Sequence, residues 1–146
     1  FGMFQAMLAY RACLPAFDRD HLGLPADRVQ AFAVISRNDQ GGLARIDEKP
    51  DEATIQSAIW LDGTVRVSMN YFRVPYCDLL EAVRTVPEHP MRKEKELPVA
   101  LSNWSEGHPG DLQVLPMAGA FLDLTHPQDI VKASERLDQG GFELRI

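Results

Sequence analysis

The sequence predicts a layered α/β domain. Short apolar runs with strand periodicity alternate with longer stretches of helical spacing, the pattern of strands covered by helices. Prolines and glycines mark the changeovers, where helix ends and tight turns require them. The 146 residues, 45% of them hydrophobic, suffice for one domain with its own core.

The elements come in order. Met3, Phe4, Met7, Leu8 and Leu14 recur at helical spacing. Pro15 is expected to end that helix, because proline lacks the amide that a helix interior needs. Phe17 to Asp27, with its Asp residues and Pro25, reads as a loop or short irregular element. Val29 to Ser36 reads as a strand with Val29, Ala31, Ala33 and Ile35 on one face. Asn38-Asp39-Gln40-Gly41-Gly42 then supplies the turn of a hairpin, and Leu43 to Asp47 its second strand. Pro50 to Ile59 is ambiguous. Thr64 to Val74 is the strongest strand, with Val65, Val67, Met69 and Tyr71 on one face and Ser68, Asn70 and Phe72 on the other.

Pro75 opens a helix with Leu79, Leu80 and Val83 inward, and Pro87 ends it. The charged run Arg92 to Glu96 reads as the solvated entry to another helix, with Leu97, Ala100, Leu101 and Trp104 on one stripe. Asp111 to Met117 and Ala120 to Leu124 read as short strands. Thr125-His126-Pro127-Gln128 has the form of a capping box. It starts a last helix through Ile130, Val131, Ser134 and Leu137 that stops at Gly140-Gly141.

Charge and composition narrow the function classes. The net charge is −6 with no basic block, so nucleic acid and anionic membrane are poor partners. An anionic substrate must be held by local groups. No apolar run has membrane-spanning length and no signal peptide opens the chain; a cytoplasmic protein is expected from its two unpaired cysteines, which suit a reducing compartment. Cys13 and Cys77 lie in apolar-patterned stretches and read as buried free thiols. His21, His89, His108 and His126 lack ligand spacing. Trp60 and Trp104 read as core or rim packing. Phe1-Gly2 runs straight into a helical pattern, so a segment of a longer chain is expected.

Three groups of residues could carry chemistry. In Glu48-Lys49-Pro50 the ammonium suits a phosphate oxygen and the carboxylate can accept from sugar hydroxyls. Pro50 stops the strand, so both side chains would lie at a sheet end, where open α/β sheets bind ligands. Taken alone, the triplet reads as an ordinary solvated turn. Asp123 closes an apolar strand before a helix, where it could share a Mg²⁺ ion with triphosphate oxygens. It serves equally well as part of the helix-start turn. Ser68 and Asn70 share one strand face and could orient a sugar, although an exposed sheet face explains them nearly as well.

The order of these motifs resembles the sugar-phosphate nucleotidyltransferases, the nucleoside-diphosphate-sugar pyrophosphorylases. Phe1-Gly2 before a helix is similar to the stretch just after that family's Asp-Asp-aromatic-Gly segment. Phe32 to Ser36, Gly42 to Pro50, Val67 to Val74, Glu94 to Leu101 and Ala120 to Asp129 come in the family's order. The likeness covers essentially the whole chain. With Ser68-Met69-Asn70 and Lys95-Glu96-Leu97-Pro98 it looks more like a small-enzyme subgroup than the thymidylyltransferases.

The resemblance implies the C-terminal part of a Rossmann-like, three-layer nucleotide-diphospho-sugar transferase fold with a mixed sheet, residues 1–146 being the sugar-phosphate-binding half. It implies that Lys49 binds the sugar phosphate and Glu48 the sugar hydroxyls. Ser68, Asn70 and Ala33 would lie along the sugar site, and Asp123 would be one of two Mg²⁺ carboxylates. The reaction would join a sugar 1-phosphate to a nucleoside triphosphate and release pyrophosphate, a step in nucleotide-sugar biosynthesis. Ala33 replaces a glycine common in the family, and Ser68-Met69-Asn70 replaces Asn-x-Gly, so the sugar is left open. The family's Gly-rich phosphate loop would precede Phe1. Gly41-Gly42 cannot replace it, because that pair joins two strands and opens no helix. The segment alone is therefore expected to be inactive. An open sheet edge facing the missing half would favour a homo-oligomer. A second reading is a non-catalytic module of the same shape that binds a sugar phosphate or a partner chain.

Overall fold

The computed structural model describes residues 2–120, Pro127 and residues 129–140, with the side chains of 132 and 136–140 excepted. Helix α1 spans Gly2–Leu8, and strand β1 spans Cys13–Asp18. A 3₁₀ turn at Arg19–His21 and helix α2, Ala26–Val29, lead to the hairpin of β2, Val34–Arg37, and β3, Leu43–Asp47. Helix α3 is Glu52–Ser57, β4 is Arg66–Ser68, α4 is Tyr76–Thr85 and α5 is Leu97–Gly107. Strand β5 is Gln113–Met117 and helix α6 is Asp129–Gly140.

The strands form one mixed five-stranded sheet in the order β3-β2-β4-β1-β5. Only β1 and β5 run parallel, and the other neighbours are antiparallel. One face packs Leu14, Ala16, Ile35 and Ile46 against Ala82 of α4 and Leu101 and Trp104 of α5. The other packs Phe17, Val34 and Val67 against Val29 of α2 and Ala58 after α3, with Met3 of α1 at its margin. Helices therefore cover both faces of an α/β open sheet, compatible with a Rossmann-like fold.

The helix expected through Leu14 is corrected by the structure. It stops at Leu8, and Leu14 and Pro15 lie inside β1. Every residue of β1 is buried, so the strand shows an unbroken apolar run and no alternation to read. Pro15 is tolerated for a local reason. The Cys13 amide donates to Arg73 O at 2.8 Å, so the imide nitrogen of Pro15, two residues on, faces the same side. There the ladder with β4 begins only at Ala16, and no bond is lost.

Two further strands are shorter than expected. Val29 closes α2 instead of opening a strand, and β2 begins at Val34. Strand β4 ends at Ser68, because Asn70 adopts a left-handed backbone with φ 56°. The ambiguous stretch after Pro50 contains α3, capped by Asp51, whose carboxylate accepts from the Thr54 amide at 2.8 Å. The hairpin, the helices after Pro75 and Glu96, and the strand before Met117 stand close to where the sequence places them. The strand expected at Ala120 to Leu124 and the capping box expected at Thr125 to Gln128 lie outside the described residues, save Ala120 and Pro127.

The sheet curls until the starts of its two edge strands touch. The Leu43 amide donates to Leu112 O at 2.8 Å, and the Val114 amide to Gly41 O at 3.2 Å. This close approach explains Gly42. A β-carbon there would stand 2.9 Å from the Gly110 backbone, which no rotamer change relieves. Gly42→Ala is expected to cost about 1–3 kcal/mol of stability by overpacking, measured as a lowered urea midpoint with an unchanged m-value.

The cysteines part ways. Cys13 is buried, but Cys77 is exposed, which corrects the expectation of two buried thiols. The first turn of α4 turns Cys77 to solvent while Leu79 and Val83 face the core. Burial pushes the Cys13 thiol above its usual range, against a smaller lowering by Arg73. Native protein treated with a thiol reagent at neutral pH is expected to react at Cys77 and to spare Cys13. Peptide mapping after brief labelling would show equal modification if this were wrong.

Candidate functional site

The carboxyl end of β3 and β4 gathers most of the residues singled out by sequence. Both strands run antiparallel to β2, so they run parallel to each other and finish at the same end of the sheet. Val34 is level with Asp47 on one side and Val67 on the other. Glu48 and Lys49 come after Asp47, and Ser68 and Asn70 after Val67, so all four emerge together. Ala33 lies between them on the intervening chain, buried, its carbonyl accepting from the Ser68 amide at 2.9 Å. With one strand between them, the backbones after β3 and β4 stand roughly 10 Å apart.

The backbone is unusual at two of these positions. Lys49 and Asn70 each lie two residues beyond a strand end, with φ 48° and 56°. Asparagine enters this region readily, whereas lysine pays a steric cost of roughly 1 kcal/mol. Glu48 and Lys49 are exposed, and neither side chain has an ion-pair or hydrogen-bond partner among the described residues. The Lys49 backbone is thus held in a left-handed turn, and its ammonium meets no opposite charge among the described residues. Such outliers collect at binding sites, where surrounding structure holds them.

Ser68 has a different job from the one expected. It is buried, and its Oγ accepts from the Asn70 amide at 3.2 Å. This short turn carries Asn70 out of the sheet and into its left-handed conformation, and Asn70 itself is exposed. Ser68 therefore positions Asn70 and does not itself face solvent.

Asp123, the expected Mg²⁺ ligand, lies outside the described residues. Among the described residues no group of three or more His, Cys, Asp or Glu side chains stands ready to hold a metal ion. Among the histidines, His108 stacks on Trp104 at 4.4 Å, His21 pairs with Asp18 at 2.9 Å, and His89 accepts from the Met91 and Arg92 amides. All are structural partnerships. No described helix is long and apolar enough to cross a membrane.

A feature missed by sequence lies at the other end of the same strands. A cavity of about 510 Å³ opens beside the hairpin turn, lined among others by Arg37, Asn38, Asp39, Trp60, Leu61 and Asp62. The Arg37 guanidinium lies over the Trp60 ring, 5.3 Å from its centroid. Trp60 alone read as packing, and an arginine in a hairpin carries no signal of its own.

No protein-family model matches the chain, and no curated protein matches it.

Proposed function

We propose that this chain provides the sugar-phosphate side of a sugar-phosphate nucleotidyltransferase. The observation that supports this reading most is the left-handed Lys49, unpaired among the described residues and emerging at the same sheet end as Glu48 and the Ser68–Asn70 turn. The motif order of the sequence supports it independently, and the mixed α/β sheet agrees with the Rossmann-like, three-layer fold that the resemblance implies.

In this reading the Lys49 ammonium receives the phosphate of a sugar 1-phosphate as a compact point charge. Glu48 accepts from sugar hydroxyls. The Asn70 side chain offers a donor and an acceptor from across the gap, fixed by the turn that Ser68 closes. The phosphate oxygen attacks the α-phosphorus of a nucleoside triphosphate in line. A new phosphorus–oxygen bond forms, the bond to the bridging oxygen breaks, and pyrophosphate leaves. Lys49, Glu48 and Asn70 do not take or give protons in this scheme. They bring one anion into position and offset its repulsion from a second.

The test is a pyrophosphate-release assay on the full-length natural protein with hexose 1-phosphates and nucleoside triphosphates. Release that depends on both substrates and falls on Lys49→Ala supports the enzyme. Saturable sugar-phosphate binding without release leaves the non-catalytic module. Neither binding nor release with any hexose 1-phosphate rejects the assignment.

A further inference from the structure

The cavity beside the hairpin turn contains a cation, Arg37, that makes no ion pair among the described residues. Arg37 is exposed and has no ion-pair or hydrogen-bond partner among the described residues. It is nevertheless held in place. The ring of Trp60 lies on one side of the guanidinium, and on another side Nη2 stands only 2.5 Å from where a β-carbon on Gly41 would be. Gly41, at φ 82°, thus serves the turn and leaves room for the guanidinium. The ring is fixed in turn. Its Nε1 donates to Ile35 O at 2.9 Å, and the buried Arg66 guanidinium lies 4.6 Å from its centroid. Both the cation and its aromatic platform are organised before any ligand arrives.

The carboxylates in the lining differ in what they can do. Asp62 is answered by Arg66 at 2.5 Å and accepts from the Thr64 side chain and amide. Those bonds to Thr64, and less so Arg66, hold its carboxyl below the usual range. It is charged, but its charge is spent. Asp39 has no such partner among the described residues and opposes an incoming anion. The apolar share of the wall comes from Ala58, Ile59, Leu61 and the indole. The volume falls in the range of roughly 300–1,000 Å³ typical of small-molecule sites.

We propose that this cavity binds a small organic oxyanion, its phosphate or carboxylate gripped by Arg37 and its apolar body laid against Trp60. A guanidinium presents parallel N–H donors that match either oxyanion in a bidentate fork. The site is separate from Lys49, which lies at the opposite end of β2, β3 and β4.

The test tracks the indole N–H resonance of Trp60 by NMR in the full chain, assigned by its loss in Trp60→Phe. Phenyl phosphate and benzoate serve as probes. At least one is expected to shift that resonance saturably, and the tighter of the two identifies the oxyanion. Arg37→Gln is expected to weaken binding at least about tenfold, since a charge-assisted pair is lost. Asp39→Asn is expected to tighten it by roughly twofold, the size of a modest exposed charge effect. Lys49→Ala is expected to leave it unchanged. No saturable shift with either probe would overturn the proposal. So would a shift that survives Arg37→Gln, or one that disappears with Lys49→Ala.

Discussion

Replacing Lys49 with alanine is expected to weaken binding of a hexose 1-phosphate about ten- to a hundredfold. A hydrogen bond to a charged group contributes about 1.5–3 kcal/mol, and each 1.4 kcal/mol is close to a factor of ten. The fold should not change. Lys49 is exposed and contacts no carboxylate among the described residues, and alanine has the same β-carbon at φ 48°. Lys49→Gly sharpens the comparison. Glycine accepts the left-handed backbone without steric cost, so stability should hold or rise by up to about 1 kcal/mol while binding is lost. Isothermal titration and thermal unfolding of both variants would separate the two effects. Loss of binding together with loss of stability would point to a structural lysine.

The double variant Ser102→Ala and Ser105→Ala is expected to lose on the order of 2–4 kcal/mol of stability, because it orphans the buried Ile46 amide and leaves Leu43 O only a long bond from Asn38 Nδ2 at 3.4 Å, each such loss costing about 1–3 kcal/mol. Strand β3 is an edge strand, and α5 covers that edge. The Ile46 amide donates to Ser102 Oγ at 3.0 Å, and Ser105 Oγ donates to Leu43 O at 2.6 Å. Both serines are buried. Two hydroxyls on one helix face thus stand where a further strand would otherwise pair. Ser102 also donates to Pro98 O at 2.7 Å, within its own helix. The two changes lie close enough to couple, so the sum of the single variants is a guide only. Such a loss is a large part of a typical domain's 5–15 kcal/mol. Urea unfolding reads it directly, and a loss below about 1 kcal/mol would mean that water replaces the hydroxyls.

Much of the fold was legible because its signals are local. The Asn38–Gly42 turn declares a hairpin: the Asn38 side chain accepts from the Gln40 and Gly42 amides, and Gly41 takes a positive φ. Helix α4 lies between Pro75 and Pro87, and the stripe Leu97, Ala100, Leu101 and Trp104 packs in the core. The hidden features depend on neighbours distant in sequence. Strand β1 is buried on both faces and contains a proline that only the late start of its β4 ladder makes acceptable. Ser102 and Ser105 look like ordinary helix polar residues until β3 comes alongside. Cys77 sits in an apolar stretch, yet helix phase turns it outward.

The candidate site divides in the same way. The end of β3 was readable from Pro50, whereas the end of β4 at Ser68 was not, the sequence pattern running on to Val74; the parallel course of β3 and β4 brings Glu48, Lys49, Ser68 and Asn70 to one end. The burial of Ser68 was not readable, because it depends on where β4 leaves the sheet. Arg37 and Trp60 meet only through the pairing of β2 and β4, so neither residue announces the cavity.

The central claim is that the sheet end carrying Lys49 and Asn70 receives a sugar 1-phosphate. The most direct measurement is a titration of the full chain with glucose 1-phosphate and other hexose 1-phosphates, monitored by amide NMR. The amides of Glu48, Lys49 and Asn70 are expected to shift together and saturably with at least one hexose 1-phosphate, and to stop responding in Lys49→Ala. An absence of saturable shifts there with every sugar, or shifts unchanged in Lys49→Ala, would contradict it.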